Sequence, residues 1–438
     1  MAEPASAAPR ASLTMTDVAI MVVGIVLGIG IFKTPSLVAN FSTNETMFLG
    51  LWALGGLITL VGALCYAELG SARPNAGGEY SFLNEAYGSK VAVFFAWARC
   101  SVIQPGAIAA VAFVMGDYAQ VVLPLGPYGP GIYAIASIVI FTGINYMGTT
   151  PGTMAQKLFE TATVLSLLAI IISAFVIAVP TPPAGTPRDV PWDLAGLAMV
   201  FVLLTYGGWN EAAYLSGELQ NAKRNMARAL AIGVVIVIGL YLSINYAYLH
   251  VLGLDAIRKS DAVAADMMRI VAGAPGAMIM SIVVVLSALT TLNGTIITGS
   301  RSYYALGRDL AVLRHIGTWE EKGSTPANAL LLQGALSVVL VIFGAATRGG
   351  FEAMVAYTAP VFWFFMMLVA ISIYIFRSRE TGGETHYRVP LYPVTPAILV
   401  LTCLWMLYSS LNYAGWGSIV GVVILLLGAP LLFLKRTA

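Results

Sequence analysis

The sequence predicts an all-α polytopic membrane protein of twelve membrane-spanning helices, two of which are broken at mid-length. Of the 438 residues, 58% are apolar and only 10% are charged, a balance far from that of soluble proteins. The mean hydropathy is correspondingly high, at +0.83. Apolar segments long enough to cross a bilayer follow one another along the whole chain. Glycines interrupt two of these segments near their middle.

The candidate spans leave no room for a soluble domain between them. Their approximate limits are 16–39, 47–70, 90–121, 130–147, 155–179, 193–216, 227–252, 276–305, 327–345, 351–376, 394–412 and 415–434. Residues 1–13 are rich in Ala, Pro and Ser and contain an acid but no apolar core. We expect them to form a disordered cytoplasmic tail, not a signal peptide.

The distribution of Lys and Arg predicts the orientation. With a cytoplasmic N-terminus, sixteen of the 23 basic residues fall on inner segments and five on outer segments. Both termini are therefore expected in the cytoplasm, with the chain in a plasma membrane such as the bacterial inner membrane. The remaining two basic residues, Lys33 and Arg99, lie inside spans.

The first broken span contains Val22 to Pro35, which reads VVGIVLGIGIFKTP. Gly28 and Gly30 stand at its centre, and each costs a helix interior about 1 kcal/mol relative to Ala. Backbone groups freed in hydrocarbon must find partners, so a break at this depth is tolerated where it faces a cavity or a ligand. The sequence therefore predicts a ligand site at this break.

The sixth span carries a second break, at Gly207 and Gly208, beside Thr205 and Trp209. Two broken spans that lie five helices apart along the chain are typical of two inverted repeats with a binding site between them. The corresponding division is a first repeat at 14–179, a second at 190–376, and two further helices at 390–438. Close helix packing through small residues would account for either break taken alone.

Paired breaks of this kind suit a zwitterion. Free N–H groups at the start of the outer half of helix 1 would attract a carboxylate, since they lie at the positive end of a helix dipole. These groups belong to Ile29, Gly30 and Ile31. Carbonyls at the ends of the inner half-helices would accept hydrogen bonds from an ammonium group. The residues concerned are Ile25, Val26, Thr205 and Tyr206.

Several motifs together resemble a known family. They are GxGIF and TP between Gly28 and Pro35, YGGWN at Tyr206–Asn210, GEL, QN and RN between Gly217 and Asn225, and SALTTLNGT at Ser287–Thr295. The chain is similar in these motifs to the amino acid, polyamine and organocation (APC) transporter superfamily, and within it to the L-type amino acid transporter family. The resemblance covers residues 14–435.

The resemblance implies a LeuT-like fold of ten core helices plus two, working by alternating access. It implies an amino acid as substrate, with its main chain held by Ile25, Gly28, Ile29, Gly30, Thr205, Tyr206 and Gly208. Asn293 on helix 8 would lie near the site. Members with a heavy-chain partner carry a Cys in the outer loop between helices 3 and 4, and the loop at 121–130 has none. We therefore expect no disulfide-linked partner.

Three positions depart from the family pattern. Leu204 stands where the family usually has an aromatic lid, so either the lid is aliphatic or Trp209 or Tyr206 takes its place. Thr163 stands where many members have a Lys near a sodium position, and Lys33 follows the GIF motif in place of an apolar or small residue. The first departure leaves substrate size open, and the second leaves ion coupling open.

Coupling has three candidate forms. Sodium could be bound by hydroxyls of Thr163, Thr290 and Thr291 together with open carbonyls of helix 1. Lys33 could supply a fixed charge instead, or Glu160, which shares a helix face with Thr163, could carry a proton. Uncoupled exchange remains the alternative to all three.

The sequence favours a secondary carrier for neutral amino acids, acting as an exchanger or a cation-coupled symporter. A cationic amino acid or polyamine carrier is the alternative, which the shortage of unpaired acids near the breaks disfavours. A channel would need a continuous polar lining, and an enzyme would need a catalytic cluster. The sequence suggests neither of these, and it suggests no resident cofactor. The net charge of +2 provides no nucleic-acid footprint.

Overall fold

The computed structural model describes most of the chain. The described residues are 13–74, 77–148, 153–177, 182, 185–216, 219–320, 325–347, 349–380, 386–413 and 415–433. Within these ranges the backbone alone is described for 153–160, 162, 192–193, 213–215, 413, 415–416 and 433.

The regular elements of the first half are helices. In chain order they are α1 (Met15–Val26), α2 (Gly30–Asn40), α3 (Glu45–Ala72), α4 (Gly78–Tyr87), α5 (Ser89–Ala98), a π-helical turn (Arg99–Ile103), α6 (Gln104–Val122), α7 (Gly129–Tyr146), α8 (Thr153–Val176), α9 (Trp192–Thr205) and a 3₁₀ helix (Trp209–Leu215). We call α1 with α2 the first broken helix, and α9 with the Trp209–Leu215 helix the second broken helix.

The second half continues in the same way. Its helices are α10 (Ala222–Leu252), α11 (Leu254–Lys259), α12 (Val263–Asp309), a 3₁₀ turn (Ala311–Leu313), α13 (Ala327–Ala346), α14 (Gly350–Arg379), α15 (Val394–Tyr413), α16 (Gly415–Leu426) and a 3₁₀ helix (Ala429–Phe433). α12 is kinked at Ala272 and Gly273, just before Pro275.

The described helices account for most of the predicted spans. Eight of them are long and apolar enough to cross a membrane, and the first broken helix, bent by 53°, makes a ninth. The predicted fifth, sixth and twelfth spans coincide with α8, the second broken helix and α16, whose continuous apolar stretches are shorter. The chain is therefore an all-helical, multi-pass membrane protein.

Local sequence explains where the first helices begin. Thr14 caps α1 by accepting a hydrogen bond from the Asp17 N–H, and the Asp17 carboxylate accepts one from the Thr14 N–H in return. The Asn44 side chain accepts from the Met47 N–H and starts α3. The segment between the second and third predicted spans contains α4, whose buried face includes Glu79 and Phe82.

The helices pack as two groups. The broken-helix group consists of both broken helices, α3 and α10, and α10 runs along α1 and α3. The scaffold group consists of α6, α7, α12 and α13, in which α6 packs along α7 and α12. The most extensive packing lies within each group, between α10 and α3 and between α12 and α6. The two groups contact each other less extensively, where α12 meets α10 and α2 and where α6 meets α2.

A buried arginine of α11 joins the segment after α2 to the segment before α9. Arg258 donates to the carbonyls of Ala39, Ser42 and Thr186 and pairs with Asp255 at 2.7 Å. Hydrogen bonds from the Thr186 hydroxyl and backbone N–H lower the pKa of Asp255 to about 2. The loop at 185–190 is thereby tied to α11 and to the C-terminal end of α2.

Candidate functional site

The first break lies where the sequence predicts it. α1 ends at Val26, and the Gly28 N–H donates to the Val26 carbonyl at 2.6 Å. α2 then begins at Gly30, and no side chain of the described residues caps its N-terminus at Ile29. The first N–H groups of a helix lack intrahelical acceptors. The Ile29, Gly30 and Ile31 N–H groups thus form an uncapped helix start deep in the protein.

The second break is a turn at Tyr206–Gly208. α9 ends at Thr205, and the Gly207 N–H donates to the Leu204 carbonyl at 3.0 Å. Gly208 adopts a φ of +104°, a conformation that other residues avoid, and the 3₁₀ helix follows at Trp209. The choice of glycine at this position is therefore dictated by the backbone turn.

The two breaks lie against each other. A Cβ added at Gly30 would stand 3.3 Å from the Thr205 methyl group, and one at Gly208 would stand 3.0 Å from Ile25 Cγ2. The hydroxyls of Thr34 and Thr205 are 2.6 Å apart and join α2 to α9. Backbone therefore approaches backbone at this point, as a site built from main-chain groups requires.

A side chain that the sequence analysis did not single out connects the carbonyls of both breaks. The Tyr241 hydroxyl, on α10, lies 2.7 Å from the Val26 carbonyl oxygen and 3.3 Å from that of Thr205. These two carbonyls are among those expected to accept from an ammonium group. Each carbonyl oxygen has two lone pairs, so the Thr205 carbonyl can still accept a second donor, whereas the Val26 carbonyl already accepts from both the Tyr241 hydroxyl and the Gly28 N–H. The available signal was a Tyr in the middle of an apolar span, with Ser243 and Asn245 shortly after it.

The aromatic residues of the second break face α3. Tyr206 is fully buried, with its ring centroid 6.0 Å from that of Trp52 and 5.0 Å from that of Tyr241. The Trp209 ring packs edge-on against Tyr66, with centroids 5.0 Å apart. Leu204 and Ile25, by contrast, are 38% and 40% exposed. The accessible apolar surface beside the breaks is therefore aliphatic.

A small cavity of about 20 Å³ adjoins the second break. Gly207, Trp209 and Asn210 line it from the broken helix, and Thr59 lines it from α3. The Thr59 hydroxyl is buried without a hydrogen-bond partner among the described residues. The cavity can hold one water molecule, which would satisfy that hydroxyl.

The residues of α12 that the sequence analysis named make different hydrogen bonds. The Asn293 side-chain oxygen Oδ1 accepts a hydrogen bond from the Asn145 side-chain amide of α7 at 2.7 Å. The Thr290 and Thr291 hydroxyls donate to carbonyls of their own helix, those of Leu286 and Ser287. α12 packs along α8, where Thr163 is buried. These threonine oxygens keep lone pairs that can accept from a further donor or cation.

The structure places Lys33 beyond the first break, on α2. Its ammonium lies 2.8 Å from Asp117 near the C-terminal end of α6 and 3.5 Å from Asp261 in the turn before α12. Its side chain is buried. The ammonium is therefore engaged by these two acids and not by the carbonyls at the end of α1.

A second cluster of charges joins the π-helical turn to the second broken helix and to α4. Arg99, in the π-helical turn, lies 3.3 Å from Glu211 of the second broken helix and 3.7 Å from Glu79 of α4. Glu79 also accepts from the Tyr66 hydroxyl and from the Asn210 amide, at 2.8 Å and 3.2 Å. The side chain of Glu160 lies outside the part of the chain whose side chains the structure describes.

Known proteins are similar in sequence to this chain along nearly its whole length. The family model described as amino acid permease matches residues 13–429. The b(0,+)-type amino acid transporter 1 of Mus musculus is 28% identical over 426 residues, covering 94% of this chain and 85% of the relative. The serine/threonine exchanger SteT of Bacillus subtilis (strain 168) is 26% identical over 419 residues, covering 94% of both. Large neutral amino acids transporter small subunit 2 of Mus musculus is 28% identical over 428 residues, covering 94% of this chain and 78% of the relative.

Proposed function

The chain belongs to the amino acid permease family and is an amino acid transporter, and on that premise we propose that it carries neutral L-amino acids by alternating access. The relatives named as a serine/threonine exchanger and as large neutral amino acids transporters support a neutral side chain. The exchanger among them supports exchange as the transport mode. The substrate would bind between the two broken helices.

The contact between the two breaks is the observation that carries this proposal. At Gly30–Thr205 and at Gly208–Ile25, the broken helices approach with nothing larger than a hydrogen on either glycine. The uncapped start of α2 offers N–H donors to a carboxylate, and the Thr205 carbonyl offers an acceptor to an ammonium group. The main chain common to all amino acids supplies both groups.

The accessible residues beside the breaks would then contact the substrate side chain. Leu204 and Ile25 present aliphatic surface, which suits neutral side chains. We assign Leu204 as an aliphatic lid, with Tyr206 and Trp209 supporting the turn from behind. The acids nearest the second break, Glu79 and Glu211, face Arg99, and this makes a cationic amino acid or polyamine the less supported substrate.

The finer architecture is part of the same proposal. We assign twelve spans as a LeuT-like inverted repeat, with the repeats at 14–179 and 190–376 and two added helices at 390–438. The separation of the helices into a broken-helix group and a scaffold group supports that assignment, because alternating access moves one such body against the other. We place both termini in the cytoplasm and the chain in the bacterial inner membrane, following the distribution of basic residues.

The carrier is proposed to work without a disulfide-linked heavy chain. Cys65, Cys100 and Cys403 are all buried in helices, so none of them reaches an outer loop. The outer segment at 121–130 contains no Cys.

Counterflow into liposomes tests the function directly. Purified protein would be reconstituted into liposomes loaded with one unlabelled neutral amino acid, and uptake of the labelled amino acid would be followed from outside. We expect uptake to exceed that of empty liposomes, and to be suppressed by other neutral amino acids added outside. Exchange would be contradicted if, for every neutral and cationic amino acid tested, uptake were the same into loaded and empty liposomes.

A further inference from the structure

Helix α6 holds the outer half of the first broken helix through one buried ion pair. Lys33 of α2 and Asp117 of α6 are joined at 2.8 Å, with side chains 9% and 15% exposed. This contact crosses between the broken-helix group and the scaffold group. A pair in this position can break only if the two groups separate on the outer side.

Neighbouring residues contact each other along the same seam, by which we mean the contact surface between α2 and α6. The Tyr118 hydroxyl, next to Asp117, donates to the Phe32 carbonyl at 2.8 Å and accepts from the Ala264 N–H at 3.3 Å. The Phe32 and Tyr118 rings meet edge-on at 6.3 Å. Two consecutive residues of α6 therefore hold two consecutive residues of α2, with the start of α12 fastened over them.

The local charge explains why the pair favours the closed seam. Asp261 also lies near Lys33, at 3.5 Å, but its side chain is 92% exposed and hydrated. The closest buried charges are thus Lys33 and Asp117, while Glu352 of α14, which is partly buried, also interacts electrostatically with Lys33. Removing one member of a buried ion pair strands the other in a poorly solvated place, whereas removing both does not. Water entering an opened seam would hydrate the stranded charge.

We propose that Lys33 and Asp117 form the outer gate of the carrier, an ion pair that stabilises the outward-closed state and separates when the site opens to the outside. This inference rests on the proposed alternating access. It assigns Lys33 a role in gating and not in substituting for a coupling ion. Both residues act by positioning the helices and not by touching the substrate.

Thiol accessibility on the outer half of the first broken helix tests the gate. Ser36 is buried one turn outward from Lys33, and its hydroxyl donates to the Lys33 carbonyl, so Ser36→Cys is a small change. The reporter would be placed in a chain whose native Cys65, Cys100 and Cys403 are replaced by Ala. A membrane-impermeant maleimide would then be added outside reconstituted liposomes whose protein orientation is known.

Three variants decide the outcome. Lys33→Met leaves Asp117 unpaired, and we expect outside labelling of the reporter to rise about tenfold as the open state becomes populated. In the double variant Lys33→Met with Asp117→Asn, neither member of the pair is left charged without the other, and labelling should return towards that of the parent. Glu68→Gln breaks a comparably buried pair with Arg377, at 2.7 Å between α3 and α14, and should leave labelling unchanged.

The result that would overturn the gate is equally specific. Unchanged labelling in a Lys33→Met protein that elutes as a single folded species would contradict it, and so would equal labelling in the single and double variants. Because labelling requires no substrate, a failure of the gate is distinguishable from a failure of amino acid counterflow. A variant that does not fold is replaced by Asp117→Asn alone, for which a smaller rise is expected, since Asp261 still faces Lys33.

Discussion

At the scale of single residues, glycine decides how closely the two broken helices approach. Gly208 combines a φ of +104° with a Cβ position 3.0 Å from Ile25 Cγ2, so both backbone and space exclude a side chain. Gly24, on α1 next to Ile25, has no neighbouring atom within 4 Å of its Cβ position. Gly24 and Gly208 are thus expected to have opposite tolerance to substitution.

We predict that Gly208→Val and Gly30→Val abolish transport while the protein still folds. A non-glycine residue at the positive φ of Gly208 carries strain of about 1–3 kcal/mol, and either side chain would push the broken helices apart. Gly24→Val is the matched control and should transport like the parent. Counterflow and size-exclusion profiles measure the two effects. Normal binding and transport by a folded Gly208→Val protein would refute the main-chain site.

A second prediction concerns Trp209. Its ring fills the space over Gly62 of α3, where an added Cβ would stand 2.5 Å from Trp209 Cη2, and it lines the small cavity at Gly207. Trp209→Ala should cost about 3–5 kcal/mol of stability as a buried aromatic. If it also supports the pocket wall, uptake of large apolar amino acids should fall more than uptake of Ala or Gly. Equal loss for every substrate would indicate a purely structural role.

At the scale of helical elements, one hydroxyl of α10 holds the C-terminal ends of α1 and α9 at a fixed distance. Tyr241 donates towards Val26 and Thr205, which belong to different broken helices. An unpaired buried carbonyl costs about 1–3 kcal/mol, so this tyrosine both satisfies the breaks and fixes their distance. On the same helix, Tyr248 is buried with a hydroxyl that has no partner among the described residues.

The two tyrosines provide a matched pair of variants. Tyr241→Phe should weaken amino acid binding about tenfold, because the carbonyls that face the ammonium group lose their donor and their spacing. Tyr248→Phe removes a hydroxyl that makes no hydrogen bond to the described residues and should bind as the parent does. Binding is measured by scintillation proximity with purified protein. Equal affinity of both variants would show that Tyr241 does not shape the site.

The sequence was informative about elements and less so about their contacts. Both breaks were predictable, because glycines at the middle of an apolar span weaken the helix there, and the structure confirms a bend at Leu27–Ile29 and a turn at Tyr206–Gly208. Tyr241, Thr34 and Tyr118 were not predictable, because their roles depend on partners 36 or more residues away in the chain. The helix α4 was missed because its short amphipathic pattern lies within a polar inter-span segment.

At the scale of the whole molecule, the proposed alternating access requires the two helix groups to move relative to each other. An ion can bias that movement only if it binds one of the two conformations more tightly than the other. The threonines of α8 and α12 lie where sodium coupling is proposed, and Glu160 is the proposed proton carrier. The contribution of Asp255 to folding stability does not interfere with a measurement of transport against pH. A lowered folded pKa makes Asp255 stabilising above its ordinary value of 3.8, and that contribution is lost only as pH falls towards about 2.

Coupling is resolved by uptake in sodium, potassium or choline at matched pH, and then across a pH gradient. Sodium coupling predicts faster uptake in sodium and loss of that advantage in Thr290→Ala. Proton linkage predicts a pH-dependent rate that Glu160→Gln removes. Identical rates in all three salts, unaffected by Thr290→Ala, would eliminate sodium. Uptake that is independent of pH and unaltered by Glu160→Gln would eliminate the proton and leave uncoupled exchange.

The central claim is that the paired breaks recognise the main chain of the amino acid. The most direct measurement is competition for labelled amino acid binding by the same amino acid, its primary amide and its N-acetyl derivative. We predict that only the unmodified amino acid competes well, and that both derivatives bind at least about tenfold more weakly, because each loses one charge-assisted partner. Competition by all three at similar concentrations would contradict the account.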